Sequence, residues 1–183
     1  MKLRKLKKIV SCLIVSLILA ACSSQKPVEE TIKISADYPS YKSASDICDK
    51  ADLAVKVKLK EVTPNVIINF SLGQEPANFP VSLYSFEVLD TLKGSYTEDE
   101  ISIPVIGGIM DGKYYETSDA EIKFMNDKEY LLLLESFEEE GVYPVLLNDT
   151  QSVFEYDAQR VESTVASTNP FSLSDILNEL NAQ

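Results

Sequence analysis

Between Leu53 and Lys60 the chain alternates strictly. Leu53, Val55, Val57 and Leu59 are apolar, and Ala54, Lys56, Lys58 and Lys60 stand between them. A period of two places these sets on opposite faces of a strand, which is therefore half buried. A helical pattern precedes it: Ala44, Ile47, Cys48 and Ala51 share one face, and Ser43 with Asp46 three residues on forms a capping box. After the strand, Thr63 to Pro80 reads as a long hairpin loop, although Val66-Ile67-Ile68 would suit an extension of the strand. Leu83 to Leu89 is a second strand, with Tyr84, Phe86 and Val88 on one face, and Leu92-Lys93-Gly94 turns the chain. Ile101 to Val105 is a third, with Pro104 marking an edge or a bulge, and Gly107-Gly108 breaks it.

The pattern from Gly107 to Phe124 leaves two readings open, a loop or a helical turn capped by Ser118 and Glu121. Glu129-Tyr130-Leu131-Leu132-Leu133-Leu134 then supplies a continuous apolar run between polar turns, the mark of a strand buried on both faces. Glu138 to Gly141 is a hairpin turn, Val142 to Leu147 its return strand, and Val153 to Tyr156 one more. Leu173, Ile176, Leu177 and Leu180 form the apolar stripe of a final helix, capped by Ser172 and Asp175. Five or six short strands with helices only at the ends predict a mainly β fold. The expected form is a small antiparallel OB-like barrel with a short N-terminal helix and a C-terminal helix.

The first forty residues follow another logic. Lys2, Arg4, Lys5, Lys7 and Lys8 precede an apolar stretch from Ile9 to Ala20, whose twelve residues fall short of the ~20 that a membrane span needs. Leu19, Ala20 and Ala21 then lead into Cys22, the order of a lipobox ahead of a lipidated cysteine. Residues 1–21 are thus expected to be a lipoprotein signal peptide. Residues 22–41 would be a flexible tether, within which Thr31 to Ile34 could pair as an edge strand, and 42–183 the β domain. Two acyl chains on Cys22 would anchor the protein durably at the extracytoplasmic face of a bacterial membrane.

Charge sharpens this picture. The chain has a net charge of −12, and removing the five basic residues of the signal leaves 12 against 29 acids, or −17. Such a surface disfavours nucleic acid, whose capture rests on basic patches, and disfavours lying flat on anionic lipid. The chain has no histidine, which excludes serine triads, histidine zinc sites and imidazole proton shuttles. Of three cysteines, Cys12 goes with the signal and Cys22 takes the lipid, so Cys48 remains alone and is expected to be buried and inert. No cofactor or metal is expected. Asp46, Asp49 and Asp52 fall three apart, a spacing for helix-end solvation rather than a calcium loop.

Two features remain as partner-binding candidates. Lys56, Lys58 and Lys60 make a cationic row that is either a contact surface or a solvated face guarding an edge. Tyr114 and Tyr115, beside Gly107-Gly108, would line a binding rim or the margin of the core.

Cys48-x-x-Ala51-Asp52 running into an alternating strand resembles the opening of netrin-like domains, as in the tissue inhibitors of metalloproteinases. Val88 to Gly94 and Asp127 to Leu132 are similar to later strand segments of that family, over about Ser45 to Tyr156. The same succession occurs in small uncharacterised bacterial lipoproteins. The resemblance implies an OB-fold. It does not imply metalloproteinase inhibition, which uses a free N-terminal cysteine, whereas Cys48 is internal and Cys22 is expected to be lipidated. The expectation is a non-enzymatic, membrane-anchored module that binds a protein or envelope component. The alternatives are a carboxylate-dependent hydrolase of an envelope substrate and, less suited to a chain of one lobe, a transporter's solute receptor.

Overall fold

The computed structural model describes residues 30–34, 38–70, 77–117, 122–137, 141–156 and 169–182. The expected signal peptide, Leu19, Ala20, Ala21 and Cys22 lie outside them, as do Ser118, Glu121 and Glu138 to Glu140. The fold is mainly β. In chain order it runs β1 (Glu30–Ile34), α1 (Ala44–Lys50), β2 (Leu53–Asn69), β3 (Asn78–Lys93), β4 (Glu100–Ile106), β5 (Gly108–Met110), β6 (Lys113–Thr117), β7 (Glu129–Glu135), β8 (Val145–Leu146), β9 (Val153–Glu155) and α2 (Leu173–Ala182). No helix among the described residues is long and apolar enough to cross a membrane.

The large sheet has the order β4-β3-β2-β7, and β8 and β9 share the far edge of β7. Its ladders are antiparallel. The alternation at Leu53 to Lys60 holds: Leu53, Val55, Val57 and Leu59 join Phe86, Ile101, Ile103, Tyr130, Leu132 and Leu134 in one core. Phe124 closes one end of it, its ring edge-on to those of Tyr84, Phe86 and Tyr130 at 4.9–5.0 Å. The Tyr130 hydroxyl accepts from Met125 N at 2.7 Å, so that buried phenol is satisfied.

The other face of β7 builds a second core. Leu131, Leu133 and Ala54 pack with Ile47 and Cys48 of α1 and with Leu173, Ile176 and Leu180 of α2. Both helices start where expected. Ser43 Oγ accepts from Asp46 N in α1, and in α2 Ser172 and Asp175 cap each other reciprocally. An Asn148 turn ties the approach to α1 in place. Its Oδ1 accepts from Thr150 N and Gln151 N, its Nδ2 donates to Pro39 O, and Gln151 bonds both backbone groups of Tyr41.

Four expectations change. The loop expected from Thr63 to Pro80 is strand over its described flanks, as the alternative of an extension through Val66-Ile67-Ile68 allowed: β2 runs 17 residues and β3 runs 16, and their pairing continues to Asn69 and Asn78. Apolar Val66, Ile67 and Ile68 keep the strand going beyond a bulge at Pro64-Asn65, where Asn65 takes a φ of 59°. Residues 108–117, within the segment left open after Gly107, form a hairpin of β5 and β6 closed by Asp111-Gly112 with φ of 52° and 78°, and the turn expected at Ser118 and Glu121 lies outside the described residues. Val142 to Leu147 pairs only at Val145 and Leu146, after Pro144, which has no N–H to give. The stretch expected as tether contributes β1, which pairs in parallel with β6 over residues 30–34, so the edge strand foreseen there forms and the small sheet has the order β1-β6-β5.

The large sheet does not close: among the described residues no ladder joins β4 to β8. Pro104 is on the outer edge strand as expected. The bonds Val88 N to Asp99 O and Gly107 N to Pro80 O fix which β4 groups face β3, and antiparallel alternation then turns the Pro104 nitrogen outward. Tyr96 Oη donates to Glu100 O at 2.8 Å, occupying another group at that edge. An edge short of a donor, with an acceptor already engaged, is a poor template for a further strand.

Gly94 sets the end of β3 against the start of β2. Its φ is +81°, and a Cβ there would overlap the Asp52 carbonyl oxygen. Gly94→Ala should lower stability by about 1–3 kcal/mol through left-handed strain and that clash. Urea unfolding checks this, with Gly112→Ala as the comparison, since a Cβ there meets no atom within 4 Å although its φ is also positive.

Candidate functional site

The chain passes from the large sheet to the small one through Gly107-Gly108, and this crossing builds the candidate site. The Asn65 bulge turns its side chain toward β5, and Oδ1 accepts from Ile109 N at 2.7 Å. A Cβ on Gly108 would fall 2.7 Å from that same oxygen, at a φ of +143°. Glycine is therefore required for the backbone to come this close. Gly107 N donates to Pro80 O, a second stitch between β3 and the crossing.

A cleft of about 490 Å³ opens beside these contacts, within the range of small-molecule sites. Asn65, Ser82, Tyr84 and Tyr114 supply polar groups to it, and Ile106 and Ile109 apolar walls. Tyr114 is 39% exposed and lies on the β6 face that Glu116 shares. Tyr115, its neighbour in the strand, takes the opposite face, is half buried and does not line the cleft. Of the tyrosine pair singled out in the sequence, only Tyr114 thus belongs to the site. The chemistry available is hydrogen bonding and apolar contact, with Glu116 and Lys123 as the charged groups of the described lining. Among the described residues Glu116 is the one acid in the lining, and it pairs with Lys33 of β1 at 3.6 Å.

Asn65 was missed from sequence. The signal for the hairpin was present, because Asp-Gly between extended residues favours a two-residue turn with both φ positive. The bulge had only Pro64-Asn65 to mark it, a dipeptide that suits an ordinary loop equally well.

The lysine row is occupied by its own neighbours. Lys56 Nζ lies 2.7 Å from Glu129 and 4.2 Å from the centre of the Tyr156 ring. Lys60 is paired with Glu100 across the sheet. Lys58 is exposed, in register with Glu87 on one side and Glu129 on the other. Acids from β3, β4 and β7 therefore offset the row, and the face carries no excess of positive charge.

A second cleft of about 500 Å³ lies at the open seam beside β4, and Asp52 and Glu100 both line it. Asp52 accepts from Ser136 N at 3.3 Å, and Glu100 is held by Lys60. Asp46 sits in the first turn of α1. Among the described residues no three acidic, cysteine or histidine side chains gather to hold a metal ion.

Cys48 is fully buried on α1, its Sγ 3.9 Å from Ile176 O. Burial, reinforced by Glu179, pushes its thiol up to about 11. No protein-family model matches the chain, and no curated protein is similar to it. The chemistry of the site accordingly rests on its own geometry.

Two outcomes follow. Asn65→Ala should speed hydrogen exchange at the Ile109 amide and cost about 1–2 kcal/mol, whereas Asn65→Asp, which keeps an acceptor and tolerates positive φ, should retain most of the protection; equal loss in both would remove the role of Oδ1. Cys48 should react with a thiol reagent far more slowly in the native chain than in denaturant. The sign of its pH effect is set by the raised value. Between the ordinary thiol value near 9 and the folded value near 11, the unfolded chain holds fewer protons, so stability should fall as pH rises through that window.

Proposed function

We propose that this chain is an extracytoplasmic lipoprotein, anchored through Cys22, whose OB-like open barrel binds a protein or envelope component and catalyses nothing. The observation that carries the reading is the cleft at Tyr114. It is concave and built on a conformationally constrained crossing, and its described lining combines hydrogen-bonding groups and apolar walls with Lys123 and one acid, Glu116, itself engaged by Lys33. Paired carboxylates of the kind that hydrolyse glycosides need a second acid at a set distance, which the described residues of this lining do not supply. The lipobox at Leu19 to Cys22 supports the address, and the similarity to netrin-like domains supports the architecture.

The rival hydrolase reading rests on Asp52 and Glu100 in the seam cleft. It is weakened by their engagement with Ser136 N and Lys60. A general base must be free to take a proton.

The test has three parts. Intact-mass analysis of the membrane fraction should find a mature chain that begins at Cys22 and carries acyl mass, and Cys22→Ala should abolish both. Photocrosslinking from Tyr114 in intact cells should capture a component that is not captured from Tyr143, at the seam. Tyr114→Ala should weaken that capture roughly tenfold, as expected for loss of one well-packed aromatic contact. Turnover of an envelope substrate that is lost in Asp52→Asn or Glu100→Gln would replace the binding reading with the enzymatic one.

A further inference from the structure

Charge is distributed unevenly along this chain. From Val62 to Phe86 there are 25 residues, and Glu75 is the only charged one, in a protein where a quarter of all residues are charged. The structure gathers much of this stretch into the outer halves of β2 and β3. These run on as a two-stranded arm beyond the Asn65 bulge, still joined at its described end by Phe70 N to Ala77 O. The arm displays apolar groups. Ile67 is 48% exposed, Phe70 is exposed, and the Phe70 ring lies 6.3 Å from that of Phe79.

A second observation concerns the leash. Because β1 is stitched to β6 from Glu30 onward, only eight residue steps separate it from Cys22. At 3.3–3.6 Å per residue these span at most about 29 Å. A tether running to residue 41 would have reached about 70 Å on the same measure. The small sheet that receives β1 is fastened to the arm through Asn65 and Pro80. The short leash and the charge-poor arm therefore belong to the same end of the molecule.

We infer that the arm docks on the bilayer surface, with Ile67 and Phe70 entering the headgroup region beside the Cys22 lipid. This rests on the anchored-lipoprotein reading above. The occupant is lipid because an acidic domain held this near a membrane is repelled by anionic headgroups least where its charge is sparsest, and this stretch carries Glu75 alone. Apolar and aromatic side chains partition into that interface. Contact there would fix the orientation of the domain and hold the Tyr114 cleft close to the membrane plane.

The experiment uses the full mature lipoprotein in vesicles of phosphatidylcholine and phosphatidylglycerol with brominated acyl chains. An environment-sensitive fluorophore is attached to Ile67→Cys or, separately, to Asn181→Cys. Asn181 is exposed at the end of α2, over the Ala54 end of β2 and far from the arm. The expected result is a blue shift and several-fold stronger quenching by the brominated lipid at Ile67 than at Asn181. Equal, weak quenching at both sites in a chain that carries acyl mass would overturn the docking and leave the anchor standing. A label at Ile67 shielded from an aqueous quencher but untouched by brominated lipid would place a protein there instead, and would also overturn it. A chain without acyl mass that stays in the soluble fraction would overturn both.

Discussion

Everything in this fold hangs on β7. Leu131 and Leu133 point into the helical core, and Tyr130, Leu132 and Leu134 into the core enclosed by the curl of the large sheet. One strand of seven residues thus removes apolar surface from water on both sides at once. Truncating one of these leucines to alanine costs on the order of 2–5 kcal/mol, a large fraction of a typical domain's stability. The rest of the architecture serves this strand. α1 and α2 cover one face, β2 pairs along one edge, and β8 and β9 divide the other edge between them.

The outer half of the molecule obeys a different constraint, the need to move the chain from one sheet to another without leaving backbone groups unpaired. Asn65, Gly107 and Gly108 meet that need. The bulge supplies an acceptor for Ile109, and the glycines permit the close approach. The Tyr114 cleft is a consequence of this crossing, and so it sits on a scaffold fixed by hydrogen bonds.

Electrostatics divides the surface along the same line. Near the cores, lysines and acids alternate across strands, as in Lys56 with Glu129 and Lys60 with Glu100, and such exposed pairs add little stability. Their effect is to leave the sheet face without a dominant sign. Beyond the bulge Glu75 is the one charged residue between Val62 and Phe86, and apolar residues are exposed instead. The arm is thus poor in charge, whereas the cleft at the crossing keeps Glu116 and Lys123 in its lining.

Local pattern determined the inner elements. The alternation at Leu53 to Lys60, the two-faced run at Tyr130 to Leu134, both helix caps and the burial of Cys48 follow from side-chain period and capping chemistry, which act within a few residues. The tertiary structure decided what depends on distant partners. Thr63 to Asn69 became strand because β3 was there to pair with it. Glu30 to Ile34 left the expected tether because β6 offered an edge. Tyr114 was separated from Tyr115 by the face each strand position takes. The lysine row lost its apparent character because the acids that match it arrive on strands far away in sequence. A sequence displays the period of each element, but hydrogen-bond partners and opposing charges are properties of the spatial arrangement, and they come into being only when the strands meet.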